Sequence, residues 1–340
     1  LGPKAEHADV WAQMLMNIFN DYIHWRRNYF PEDPIIINRT KRRQHEHWFD
    51  QLDTELETVL NQLKAHFPFY SPRYIAHMLS EQTLPSVVGY FAGMLYNPNN
   101  VTDESASVTV PLELEVGKMV AAMLGYNPET AWAHICSGGT VANIEALWVA
   151  RTVQFLPFVV QEYCKKHQLE FQIRTPNKAR GQTVSILEVP SQTLIALKSN
   201  QSVRILRKLA HYLIYEKRQV PEVVLQEINE HVANSLFNVS KRGLFSILNR
   251  LSLHPRIYVS ESAHYSIKKA ANILGYGEDA VVPVPVDTRF RMDVRALREL
   301  LLHQKSNEYT ACVIAVAGTT EEGAVRSEEH TSELQSPCNL

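Results

Sequence analysis

The chain has 340 residues, a formal net charge of −2 and a sequence pI of about 6.7. That balance argues against a general nucleic-acid binder, which needs a basic surplus to meet phosphates. With 45% hydrophobic and 21% charged residues, it is not a disordered, collagenous or coiled-coil chain. No apolar run reaches the ~18 residues of a membrane span. At ~100–200 residues per domain, one large or two ordinary domains are expected. Cys136, Cys164, Cys312 and Cys338 form no CxxC pair. They suit a reducing, cytoplasmic setting better than a disulfide framework or a zinc ribbon. The sequence opens on Leu1, and no signal peptide is read there.

Trp11, Met14, Leu15, Ile18, Phe19 and Tyr22 recur at helical spacing. Residues 31–45 read as a loop whose Lys41-Arg42-Arg43 run is a solvated face. A second helix follows, with Trp48, Leu52, Leu56, Val59 and Leu63 on one stripe. Residues 67–78 are aromatic and broken by proline, an ordered loop, and 84–95 are helical. From about residue 96 the grammar changes. Thr109 before Pro111 starts a helix and Gly125 ends it. A short strand is expected at Ala133–Cys136, then a helix from Thr140 through Arg151. Buried strands are expected at Val184–Val189, Ile257–Ser260, Val281–Val286 and Ala311–Ala317. Helical patterns alternate with them at Val203–Tyr215, Pro221–Leu236 and Ile267–Leu274, while 166–182 is a polar surface excursion. Strands alternating with helices give an α/β fold with a mainly parallel sheet and helices on both faces.

Three segments carry chemistry. Ser137-Gly138-Gly139-Thr140 lies where a strand passes into a helix. Glycines admit a ligand close to the backbone, the helix start offers free N–H groups, and Thr140 adds a hydroxyl. The pattern suits a phosphate, and equally a tight turn with an N-cap. It is neither GxGxxG nor a lysine-bearing phosphate loop. Ser262-Ala263-His264-Tyr265-Ser266 follows a strand and opens a helix, where open α/β sheets place ligands. The imidazole of His264 can stack on an aromatic ligand there, or simply cap the helix. Ala317-Gly318-Thr319-Thr320-Glu321-Glu322-Gly323 also follows a strand and reads as a ligand-contacting or a plain polar loop. His45 and His47 flank Glu46 two residues apart, a spacing that turns them away from each other on a helix. No metal site is expected.

The order and spacing of SGGTVANIEALWVAR (137–151), SESAHYSIKKAANILG (260–275) and VIAVAGTTEEGAV (313–325) resemble the group II pyridoxal-phosphate-dependent decarboxylases. The stretches at 69–101 and 113–127 resemble the bacterial tyrosine decarboxylase branch. The resemblance implies a fold-type I PLP-dependent transferase-like architecture with a seven-stranded, mainly parallel sheet. It implies an N-terminal helical, dimerisation and substrate-loop segment over 1–95 and a large α/β domain over 96–325, incomplete at its C-terminal side. It further implies pyridoxal 5′-phosphate as cofactor, an amino acid substrate and a homodimer. By position, Gly138, Gly139 and Thr140 would hold the cofactor phosphate, His264 would stack on the ring with Ser266 beside it, and Thr320 would stand near ring and substrate. His264 and Thr320 are the candidate catalytic residues, and His77, Met78 and Ser80 the substrate-side ones.

The family's Schiff-base lysine and pyridine-nitrogen aspartate both lie after this last segment. Here Arg326 stands where the aspartate is expected, and the last lysine is Lys305. Lys268 and Lys269 do not match the family's lysine position and read as a solvated helix face. RSEEHTSELQS (326–336) resembles the translation of a common sequencing adapter, so 326–340 is set apart as a non-native tail. The chain as written is expected to have no decarboxylase activity and at most weak cofactor binding. Tyrosine-like substrates are favoured. The alternatives are glutamate or aspartate with Arg73 as the cationic partner, another fold-type I enzyme, or a non-catalytic truncated paralogue.

Overall fold

The computed structural model describes residues 1–75, 79–175, 183–320 and 322–325. The chain divides into two compact units, the first ending at Ile135 and the second beginning at Cys136.

The first unit is helical: α1 (Ala8–Tyr29), α2 (Arg39–Gln44), α3 (Glu46–Leu63), α4 (Leu84–Tyr96) and α5 (Thr109–Met123). α1 packs on α4 through aromatic edges, with Tyr22 and Tyr96 at 5.1 Å and Trp25 and Tyr96 at 5.3 Å between ring centroids. The Lys41-Arg42-Arg43 run lies on the short α2 rather than in a loop, because the Asn38 side chain accepts the Lys41 N–H and caps it. Gly117 of α5 lies against Ala133, where even a methyl group would press within 3.2–3.3 Å. The strand expected at Ala133–Cys136 does not form. The N–H of Ile135, free to join a ladder in a strand, donates instead to Glu113 Oε1 at 2.6 Å. That bond, with Asn100, holds the Glu113 carboxyl below its usual range.

The second unit holds the main core and the sheet. α6 (Gly139–Lys166) is followed by the short antiparallel pair β1 (Gln172–Ile173) and β2 (Val184–Ser185). Then come α7 (Ser191–Ile195), α8 (Ser199–His211), α9 (Pro221–Asn234), α10 (Val239–Arg242) and α11 (Leu244–Leu251). The last part alternates: β3 (His254–Ser260), α12 (Ser266–Ile273), β4 (Val281–Val284), α13 (Val294–Leu302) and β5 (Glu308–Ile314). Among the described residues β3, β4 and β5 make a three-stranded sheet, order β4-β3-β5, with both pairings parallel. The strand expected over Val184–Val189 survives for two residues only. The Ile186 N–H donates to Phe171 O, and a 3₁₀ turn follows over Ile186–Glu188.

α6 is the spine of this unit and runs well past Arg151. Pro157 sits inside it without ending it, buried among Phe155, Phe158, Val159 and Val160. Burial of such side chains yields roughly 1.5–3 kcal/mol each, enough to outweigh the ~3 kcal/mol cost of an interior proline. Gln154 is 4% exposed and reaches from α6 to β5, donating to Thr310 O at 3.1 Å and Ala311 O at 3.0 Å. On the sheet, Arg256 of β3 meets Glu308 of β5 with Nη2 to Oε1 at 2.7 Å, and its other nitrogen donates to Asp279 O at 2.8 Å. α13 begins at Asp293, whose carboxylate accepts the Arg295 and Ala296 N–H groups.

Candidate functional site

The three chemistry-bearing segments meet at the carboxyl edge of the sheet. β3 ends at Ser260 and leads through Ser262 to His264 and α12. The neighbouring parallel strand β5 leads through Val316 to the 317–325 loop. α6 brings Gly138–Thr140 to the same edge, because Asn143, one turn in, bonds to Ser266 at the start of α12.

Gly138 precedes α6 with φ +151°, in the backbone region open to glycine. Among the described residues no side chain caps the N-terminus of this 28-residue helix. The room that side chains would fill at Gly138 and Gly139 is empty to 4 Å. Unoccupied N–H groups at a positive dipole end, bare glycines and the half-buried Thr140 suit a phosphate group.

His264 is exposed, tilted 39° against Tyr265 with centroids 4.3 Å apart. Its Nδ1 accepts the Ser266 backbone N–H at 3.2 Å. Ser266 itself is 1% exposed, and its Oγ accepts from Asn143 Nδ2 at 2.9 Å. In the third segment the two threonines divide the work. Thr319 is buried; its Oγ1 accepts the Ala324 N–H at 2.9 Å and donates to Glu322 Oε2 at 3.0 Å. The loop is closed further by Gly318 N to Ala324 O and Gly323 N to Thr319 O, with positive φ at both glycines. Thr320 is thereby left half-exposed at the sheet edge.

The remaining expected residues lie elsewhere. Ser80 belongs to the first unit, exposed, with its hydroxyl donating to Glu81 O at 3.4 Å. His77 and Met78 fall outside the described residues. Lys268 and Lys269 are exposed on α12, Lys269 standing 5.1 Å over the Tyr265 ring. Among the described residues no three His, Cys, Asp or Glu side chains converge as a metal site would require, and no helix is long and apolar enough to cross a membrane. A cavity of about 430 Å³ beside Glu162, Lys165 and His231 opens near the far end of α6, away from the three segments.

Three residues carried no role in the sequence reading: Asn143, which bonds to the site serine Ser266, and Arg151 and Gln154, which tether α6 to the elements around it. All lie on α6, and each bonds to a partner more than 120 positions away. Only the amide or guanidinium in an otherwise apolar helix stretch marks them.

A parallel sheet flanked by helices, with ligand-type loops gathered at its carboxyl edge, defines an α/β chain of the fold-type I class. Solved structures of that class agree in fold. Mouse CSAD is matched at TM-score 0.51 and 18% identity over 96% of this chain and 52% of that one. The glutamate decarboxylase domain of a Vibrio parahaemolyticus diaminobutyrate protein is matched at TM-score 0.53 and 17% identity, over 97% of this chain and 54% of that one. Residues 238–339 match the pyridoxal-dependent decarboxylase conserved domain, a match that continues through the stretch 326–336. Along nearly its whole length the chain is a relative of bacterial L-tyrosine decarboxylases. That of Levilactobacillus brevis is 33% identical over 96% of this chain and 46% of its own, and that of Enterococcus faecalis 30% identical over the same shares. The chain therefore resembles the group II pyridoxal-phosphate-dependent decarboxylases in their tyrosine decarboxylase-like branch. It spans about half the length of the curated relatives it matches.

Proposed function

We propose that this chain is the cofactor-cradling part of a pyridoxal-phosphate-dependent decarboxylase that converts an L-amino acid, tyrosine-like by preference, to its amine and CO₂. The observation that carries it is the convergence of the glycine cradle, His264 and the Thr320 loop at one sheet edge in a relative of L-tyrosine decarboxylases.

The amides of Gly139 and Thr140 and the Thr140 hydroxyl hold the cofactor phosphate, with Gly138 keeping the approach open. The imidazole of His264 would stack on the cofactor ring and hold it in place. The Thr320 hydroxyl stands toward ring and substrate, released for this by Thr319, which closes the loop. When bound, the cofactor supplies the electron sink for the pair left by departing CO₂, while the protein supplies orientation and electrostatics. His77, Met78 and Ser80 are the residues proposed on the substrate side. The chain as written carries no lysine after Lys305, so this chain alone is expected to release no CO₂.

A second copy of the chain is part of the reading. On α3, Trp48, Leu52, Leu56, Val59 and Leu63 are all about half exposed or more. Apolar stripes of that kind belong to interfaces. A cytoplasmic setting is supported by the free thiols of Cys136, Cys164 and Cys312. An acidic substrate is the second reading, favoured by the aspartate 1-decarboxylase of Aliivibrio fischeri, 26% identical over 94% of this chain, and by the exposed Arg73.

The test is the product of the complete gene, assayed for CO₂ release from L-tyrosine, L-glutamate and L-aspartate. Tyramine formation, abolished by His264→Ala, is the expected result. A pure, cofactor-loaded product that releases CO₂ from none of the three would overturn the reading.

A further inference from the structure

α12 is held by α6 at two points in matching register. Asn143 Nδ2 donates to Ser266 Oγ at 2.9 Å, and Arg151 Nη1 donates to Leu274 O at 2.6 Å; both pairs are separated by 123 positions. The helices therefore run parallel, with attachments eight residues apart, about 12 Å at the usual rise. The lower attachment binds the carbonyl end of α12 and is a plain helix tether. The upper one is different, because its acceptor is one bond network away from a site residue. Ser266 is buried, its hydroxyl is engaged by Asn143, and its backbone N–H is aimed at His264 Nδ1 at 3.2 Å. A nitrogen that accepts a hydrogen bond carries no proton, so the neutral ring must hold its proton on Nε2.

We propose that Asn143 and Ser266 are a positioning pair. Through the buried Ser266 the amide of Asn143 sets the height, rotation and tautomer of His264 relative to the Gly138–Thr140 cradle. The inference rests on the reading of His264 and the cradle as parts of one cofactor site. Asn143 sits one turn inside α6, at the end that would hold a phosphate. Ser266 opens α12, at the end that presents the imidazole. A single amide–hydroxyl bond thus links the two groups that would grip opposite ends of one ligand. Asn suits the position because its NH₂ group donates to a buried hydroxyl without bringing charge into the packing. A leucine there would keep the volume and lose the donor. The Ser266 hydroxyl would then be buried without this partner, which costs about 1–3 kcal/mol and frees the first turn of α12 to move.

The test uses the 340-residue chain and two separate readouts. The first is the ¹⁵N state of the His264 ring, assigned by its loss in His264→Gln. Wild type is expected to show an unprotonated Nδ1 and a protonated Nε2 near pH 8. Asn143→Leu and Ser266→Ala should each give a mixture of tautomers, and the double variant should be no worse than either single one. Arg151→Met serves as the control for a merely structural tether: it should lower the melting temperature and leave the ring nitrogens unchanged. Unaltered His264 nitrogens in a folded Asn143→Leu variant would refute the proposal, as would equal changes in Arg151→Met. The second readout is binding of pyridoxamine 5′-phosphate, which carries no aldehyde to react with surface lysines. Asn143→Leu should weaken it about tenfold, or ~1.4 kcal/mol. A wild-type chain that binds none, with the tautomer still set by Asn143, upholds the positioning pair and leaves the cofactor reading to the product of the complete gene.

Discussion

The ion pair between Arg256 and Glu308 ties the start of β3 to the start of β5 and has a definite pH signature. Two guanidinium nitrogens converge on Glu308 Oε1 at 2.7 and 3.1 Å, and the Lys305 N–H donates to the other oxygen at 3.1 Å. The carboxylate is 10% exposed, so solvent does little to screen it. The Arg256 hydrogen bonds, helped by Lys305, hold its pKa below the usual range. Glu308→Gln keeps the shape and one acceptor oxygen but removes the charge. Hydrogen bonds to charged groups contribute about 1.5–3 kcal/mol against 0.5–1.5 for neutral ones, so the substitution should cost about 1–2 kcal/mol. For a unit of this size that lowers the melting temperature by roughly 2–8 °C at pH 7. The sign of the pH effect follows from the lowered pKa. The stabilisation is complete above the ordinary carboxylate range, near 4.3, and is lost as pH falls through the folded-state value. Thermal unfolding of wild type and Glu308→Gln, followed by circular dichroism from pH 7 down to pH 3.5, should show two curves converging in acid. A gap that stays constant with pH would refute the argument that charge carries the effect.

Gly138→Ala should cost about 1–3 kcal/mol, because φ +151° is glycine territory, and should also weaken pyridoxamine 5′-phosphate binding; calorimetry on the folded variant checks both. Thr319→Val removes the two side-chain bonds that help close the 317–325 loop, so amide exchange at Ala324 should quicken markedly while the core amides of β3 keep their protection. Burial pushes the Cys164 thiol up to about 12, so alkylation at pH 8 followed by peptide mass mapping should label the half-buried Cys136 first and reach Cys164 only after unfolding.

The periodic helices were legible in the sequence because their apolar stripes are local facts: α1, α3, α4 and α5 all fall where the spacing of Trp11, Trp48, Leu84 and Leu112 puts them. β3, β4 and β5 were legible as β-branched runs between helices, and so was the sheet edge that gathers His264 and Thr320. What failed was decided at a distance. Ala133–Cys136 has a strand's composition, but the Ile135 N–H bonds Glu113, twenty-two residues earlier. Val184–Val189 turns aside after two residues: Ile186 still bonds Phe171 across the pair, but the backbone then coils into a 3₁₀ turn in which the Val189 N–H returns to Ile186 O. α6 outlasts Arg151 because Pro157 is buried among aromatic neighbours, a compensation no propensity scale contains. Asn143 was visible within the 137–151 segment, yet its meaning depends on a serine 123 positions further on.

Gln154 also has a temporal consequence. Its acceptors on β5 lie up to 157 positions later in the chain. At translation rates of about 5–20 residues per second, the middle of α6 is made roughly 8–30 s before the strand it is stapled to. For that interval the β5-facing side of α6 has no sheet to rest on. Nascent chains of this protein thus present one face of a long helix to chaperones well before the sheet can assemble. Slowing synthesis between residues 160 and 310 would lengthen that window and lower the yield of folded protein.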